Sequence, residues 1–183
     1  MNIFAPYPDP VKSANVLADR HIVKMPVETA QMMSSALDFL SKEAPKSLIP
    51  QFELDRLYKP THVNHPSNKW LLKSAGNYEW LYLHGITLGE RYKLIYNKNH
   101  ASVDIIKRCF DIFSKPDISD WYFEYNEVDV TEFYPAMPDE FKVSKDAHTC
   151  YQKYLDNKYS NWHKSGILMF NRAKPLNWSG VKW

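Results

Sequence analysis

Ser13–Leu40, SANVLADRHIVKMPVETAQMMSSALDFL, carries two periodic stripes at once. Val23, Ala30, Met33, Leu37 and Leu40 recur at steps of three, four or seven, which gathers side chains on one face of an α-helix. His21, Lys24, Glu28, Gln31 and Ser35 follow steps of three, four, three and four, which gathers them on another. A helix with one apolar and one polar face needs other helices to bury against, so this stretch predicts an all-α fold. Pro26 lies inside it. Lacking an N–H and clashing with the preceding turn, it is expected to kink the helix or divide it near Met25.

Outward from this helix, residues 41–66 hold Pro45, Pro50, Pro60 and Pro66 and read as a long connection. Pro66-Ser67 opens a second helix to about Tyr96, with Leu71, Ala75, Tyr78, Leu81, Leu88 and Tyr92 as its inner stripe. Gly76, Gly85 and Gly89 lower helix propensity but would let another helix approach closely. Ser102 reads as the N-cap of a third helix through Phe113, and Ser144 as the cap of a fourth containing Ala147, Cys150, Tyr151, Tyr154 and Leu155. The expectation is a compact helical fold of about four helices with long irregular connections, one domain over residues 1–183. Within it, 114–143 is an irregular acidic insert and 163–183 a basic, aromatic tail.

The 183 residues are enough for one domain of ordinary size, and 44% hydrophobic residues can bury a core. No apolar run approaches the ~18 residues that cross a bilayer, so no membrane span is expected. The opening residues lack a basic segment followed by an apolar one, which argues against secretion. Cys109 and Cys150 have no CxxC spacing and support neither a disulfide framework nor a zinc ribbon. The expected compartment is a reducing cytoplasm, and the expected state a monomer.

Charge is unevenly spread. Between Asp111 and Glu140 nine acids face only Lys115, a net −8, which leaves +10 elsewhere in a chain of +2. Such asymmetry fits a polyanion partner for the basic portion, and fits equally an ordinary mixed surface with an acidic loop.

Three groups of residues can carry chemistry. On the first helix, a carboxylate (Glu28) within a turn of an amine (Lys24) can relay protons while the amine acts as nucleophile, with His21 beside them. A solvated face with an ordinary Lys24–Glu28 pair has the same spacing. Thr61-His62-Val63-Asn64-His65-Pro66-Ser67 places two histidines at the mouth of a helix, where rings and free N–H groups can hold phosphate. A metal there lacks a neighbouring carboxylate or cysteine, and a plain capping loop is the other reading. The tail Asn171-Arg172-Ala173-Lys174-Pro175-Leu176-Asn177-Trp178 interleaves basic and aromatic groups that can contact phosphates and stack on bases, or simply pack on their own domain. P-loop, GxGxxG, GxSxG and HExxH patterns are absent.

Leu17-Ala18-Asp19-Arg20-His21-Ile22-Val23, with Glu28 seven residues after His21, resembles the first helix of the phage and viral pyrimidine-dimer DNA glycosylases, the endonuclease V-like family. Met137-Pro138-Asp139-Glu140-Phe141 is similar to that family's Ile-Pro-x-Glu-Phe before its last helix. Met1-Asn2-Ile3-Phe4 through Gln31, and Asn64-His65-Pro66, look like bacterial and phage proteins grouped with it. The resemblance implies a compact all-α fold with the N-terminal segment threaded between helices. It implies double-stranded DNA as partner and a chemistry that needs no metal or cofactor. The α-amine of the N-terminal residue would attack the deoxyribose C1′ of a damaged or modified pyrimidine nucleotide. Glu28 would stabilise the sugar cation and shuttle protons for elimination at an abasic site, and His21 would orient the site. The phage enzymes expose a small second residue, threonine; Asn2 stands here, so the amine belongs to Met1 or to Asn2. Lys24 is a rival nucleophile if burial depresses its pKa. Val27 replaces an arginine flanking the glutamate, so phosphate contacts would fall to Lys24, His62, Asn64, His65, Lys69 or Arg91, and in the tail to Arg172 and Lys174. Two alternatives stay open. One is a non-catalytic nucleic-acid or nucleotide binder, such as a phage accessory or counter-defence protein on the same fold. The other is an N-glycosidic enzyme acting on nucleotides or hypermodified bases.

Overall fold

A helix needs its first N–H groups satisfied, and side chains do this at three of the helix starts that frame the fold. Asp9 accepts from the Lys12 N–H at 2.6 Å, Ser74 from the Asn77 N–H at 3.0 Å, and Asp146 from the N–H groups of His148 and Thr149 at 3.2 and 3.0 Å. In a computed structural model that describes residues 2–45, 48–118, 121 and 129–167, they open α1 (Pro10–Asn15), α5 (Ala75–Tyr96) and α7 (Ala147–Lys164). Between them lie α2 (Asp19–Glu43), α3 (Gln51–Leu54), α4 (Pro66–Leu71) and α6 (Ser102–Phe113), with a 3₁₀ turn at Asp139–Phe141. Among the described residues there is no strand, and the fold is all-α, with α2, α5, α6 and α7 as its four long helices.

α2 is the central element, packed on both α5 and α6, while α1 lies on α5. Close approach of α2 and α5 depends on Gly85, where a Cβ would stand 2.6 Å from Thr29 Cγ2 and 3.1 Å from Ile106 Cδ1. Ala30, Met33, Leu37 and Leu40 are buried as their spacing demands; Val23 is 44% exposed, at the level of the α5–α6 connection, whose His100 Nε2 lies 3.0 Å from its carbonyl oxygen. The helix does not start at Ser13: residues 13–15 finish α1, and α2 begins at Asp19, whose acid in the first turn suits the helix dipole. Nor is it divided at Pro26, and it runs on to Glu43.

Other boundaries move for reasons of capping. The helix expected over 66–96 is two, because Ser74 adopts extended backbone and its hydroxyl caps a new start. It ends at Tyr96 because Asn97 takes the left-handed conformation, φ 51°, that asparagine tolerates. Ser102 is the first residue of α6 rather than its cap; its N–H donates to His100 Nδ1 at 3.2 Å. Ser144 accepts from the Asp146 N–H at 3.1 Å, and Asp146 itself caps α7. The second half of the acidic insert is not outside the core: Phe133 and Met137 are buried, and Phe133 stacks on Trp70 at 4.4 Å.

The N-terminal segment is threaded through this framework. Ile3, Phe4 and Ala5 are buried. The carbonyls that follow are each held by a different side chain: Ala5 O by His148 Nδ1 at 2.7 Å, Pro6 O by Gln152 Nε2 at 2.8 Å, and Pro8 O by Trp80 Nε1 at 2.6 Å. A buried strand of chain with unpaired carbonyls would be costly, so these bonds fix the segment's path.

Candidate active site

Glu28 is 7% exposed, and a carboxylate so far from water must be paired. Its Oε2 accepts from the Asn2 backbone nitrogen at 2.7 Å, and its Oε1 lies 3.0 Å from Lys24 Nζ. Asn2 is itself fixed: its side-chain amide donates to Ala136 O at 2.8 Å, and its Oδ1 accepts from the Tyr151 hydroxyl at 3.2 Å. The start of the chain therefore meets the middle of α2, with the acidic insert and α7 steadying it. Lys24 is 72% exposed, so the burial on which its role as a nucleophile depended is missing.

Around this meeting point is an open cleft of about 370 Å³, lined by Phe4, Arg20, Met25, Tyr154, Lys158 and Trp162 besides Asn2, His21, Lys24 and Glu28. Its volume falls in the range of small-molecule pockets. The Lys158 ammonium stands over three ring faces, 5.3 Å from Phe4, 5.4 Å from Tyr154 and 5.3 Å from Trp162. Burial, together with the charge of Lys24, holds its pKa below the usual lysine value, with Glu28 pulling the other way. The sequence reading passed over Lys158; Tyr154, Lys158 and Trp162 at i, i+4 and i+8 were the signal that could have found it.

His21 is a neutral base at this site. Burial, then the nearby charges of Lys158 and Lys24, push its pKa down to about 3. Its Nδ1 lies 3.0 Å from the Tyr159 hydroxyl, whose oxygen also accepts from the Ala18 N–H at 3.1 Å. Either the Tyr159 hydroxyl or the ring N–H supplies the proton of this bond, and Nε2 is buried without a hydrogen-bond partner among the described residues. The ring packs 4.5 Å from Phe4 and 5.3 Å from Trp162.

Ser35, at the far end of the polar stripe, ties in the histidine loop: its Oγ accepts from the Thr61 N–H at 3.0 Å. Asn68 Nδ2 donates to His62 O at 2.8 Å, and His65 Nδ1 accepts from the Ser67 N–H at 3.2 Å. Burial holds His65 below the usual histidine pKa and His62 adds to this, while Glu28 is near enough to pull it up. Ser35 thus ties the loop to the helix that carries Glu28, with His62, Asn64 and Lys69 exposed. Arg91 does not join them. It is 7% exposed, donates to Ala14 O at 3.0 Å and to Asn15 O, and has Asp19 close by to support its charge. It serves the end of α1, and the phosphate role expected for it is corrected to a structural one. Met1, Arg172 and Lys174 lie outside the described residues. Among the described residues no group of three His, Cys, Asp or Glu could hold a metal ion, and no helix is long and apolar enough to cross a membrane.

A family model described as pyrimidine dimer DNA glycosylase matches residues 1–108, the part of the chain that supplies Asn2, His21, Lys24, Glu28 and the histidine loop. No curated protein and no solved structure matches the chain. The chain belongs to the pyrimidine dimer DNA glycosylase family, whose function is glycosylase chemistry on DNA.

Proposed function

With that membership as premise, we propose that this chain removes damaged pyrimidines from double-stranded DNA and then opens the abasic site, using an N-terminal α-amine and Glu28. The observation that carries the reading is the 2.7 Å contact between the Asn2 nitrogen and Glu28 Oε2. Removal of Met1 would make that nitrogen the α-amine; if Met1 stays, the amine is one residue further along the same segment. An α-amine has an ordinary pKa near 7.7–8.0, so a useful fraction is neutral and nucleophilic at pH 7.

The amine nitrogen attacks C1′ of the damaged nucleotide, and the bond from C1′ to the base breaks with its electron pair leaving on the base. The Glu28 carboxylate stabilises positive charge on the sugar as it develops. The attached nitrogen gives up one proton to the Glu28 carboxylate, which passes it to O4′ as the C1′–O4′ bond breaks; the open-chain iminium keeps the second N–H. Glu28 then takes a proton from C2′, and the 3′ phosphate leaves by β-elimination. His21, neutral and held by Tyr159, orients the floor of the site; Lys158, Lys24 and Lys69 offer positive charge to phosphates, while His62, Asn64 and His65 offer hydrogen-bonding groups. We place this activity in the cytoplasm of a bacterial or phage-infected cell, carried out by a monomer.

One observation favours a second nucleophile, since Lys24 Nζ shares the same carboxylate at 3.0 Å. Nicking of ultraviolet-irradiated plasmid, with borohydride trapping of the protein–DNA imine, tests both. Irradiated but not intact plasmid should be nicked, and Lys24→Ala should still form the trapped adduct with only a few-fold loss. An adduct lost with Lys24 would transfer the role to that side chain. Salt-sensitive binding with neither nick nor adduct would leave a non-catalytic DNA binder.

A further inference from the structure

Val63 is a 51% exposed aliphatic side chain at the tip of the histidine loop. The loop is rigid for its size. His62 holds φ at 50°, in the left-handed region that residues with a Cβ seldom adopt. Its Nδ1 lies 2.7 Å from Thr61 Oγ1, and the His65 N–H closes the turn onto His62 O at 2.8 Å. Asn68 holds the same carbonyl from below at 2.8 Å, and Ser35 holds Thr61 from α2. An apolar tip kept in water on an ordered turn has no packing reason within the described chain.

Its location gives one. Ser35 is seven residues past Glu28 on the same helix face, about 10 Å along the axis, or about three base-pair rises. Ser35 Oγ accepts from the Thr61 N–H at 3.0 Å there, so the start of the loop lies against α2 about two turns from Glu28. We infer that Val63 is a wedge that enters the base stack beside the damaged pyrimidine, kinking the duplex so that the sugar can reach Glu28. Apolar side chains that insert between base steps unstack them in this way, and a turn ordered beforehand loses little freedom on insertion. His62 and Asn64 on either side of the tip would seat against the groove. This inference rests on the proposed DNA activity and extends it to how the duplex is opened.

The test uses Val63→Ser, which removes the apolar tip, and Val63→Leu, which keeps it; exposure at this position leaves folding intact. The substrate is a dimer-containing duplex with 2-aminopurine beside the lesion, alongside the same lesion in a single strand. Wild-type protein and Val63→Leu should raise 2-aminopurine fluorescence on binding. Val63→Ser should give a rise about threefold smaller and cut the duplex roughly tenfold more slowly, with single-strand cutting unchanged. Equal behaviour of Val63→Ser and wild type on the duplex, or equal loss on duplex and single strand, overturns the wedge. If wild-type protein unstacks the duplex through Val63 but cuts neither substrate, the wedge stands and the catalytic reading falls.

Discussion

Glu28→Gln should lower incision and adduct formation by about a hundred- to ten-thousand-fold, the range lost when a positioned acid–base group is removed. Glutamine keeps the shape and can still accept the Asn2 N–H through its amide oxygen, so the chain's start should stay in place. What it loses is the negative charge that would face the sugar cation and the basicity to take the C2′ proton. The buried charge pairs with an exposed lysine, Lys24, and removing it releases the cost of its burial along with the attraction, so the melting temperature should hardly move. DNA affinity should be unchanged or higher, because a negative charge has left a cleft that meets phosphates. Single-turnover incision beside a binding titration separates these effects; parallel loss of binding and cutting would mean the glutamate has a structural role only.

Mild acid should destabilise this protein. His21 and His84 both have their pKa pushed down to about 3, mainly by burial. His84 is fully buried against Trp80, ring centroids 5.0 Å apart. The nearby Phe4 carbonyl offsets the burial only in part. In the unfolded chain a histidine titrates near 6.5. Stability is therefore fully present above 6.5 and falls as pH drops from there toward 3, by up to about 1.4 kcal/mol per pH unit for each histidine. His65 is shifted in the same direction. Asp139 and Asp146 are shifted below 3.8, so their contributions are lost at lower pH and do not mask the effect at pH 5–7. Two histidines could remove about 4 kcal/mol by pH 5, a large part of an ordinary domain's 5–15 kcal/mol. Urea midpoints should fall steadily between pH 7 and pH 5, and His84→Leu should flatten the slope by about half. A midpoint independent of pH would contradict the assigned burial.

The polar stripe on α2 was legible because one helix fixes its own spacing: His21, Lys24 and Glu28 meet as written, and Ser35 proves to be the loop's anchor. The contact between Asn2 and Glu28 was not. It joins residues 26 apart through a segment without periodicity, and only the family resemblance pointed to it. Lys158 is further still, on α7, and it reaches the site because Phe4 and Trp162 wall the same cleft. Arg91 was misread by taking its charge before its position. Three residues after Leu88 and four before Ile95, it sits on the buried face of α5, where a guanidinium must serve the protein's own carbonyls. Caps moved by a residue or two for the same reason throughout: Ser102 and Ser144 are plausible caps in sequence, but His100 and Asp146 reach the N–H groups first. The acidic insert hid Phe133, whose burial depends on Trp70 and Trp80, more than 50 residues upstream, and on His148 of α7.

The most direct measurement is to reduce the covalent intermediate with borohydride, digest the complex, and locate the sugar remnant by mass spectrometry. A remnant on the α-nitrogen of the N-terminal residue is predicted, with none formed by Glu28→Gln. A remnant on Lys24 or Lys158, with the N-terminal peptide unmodified, would contradict the pairing of that amine with Glu28.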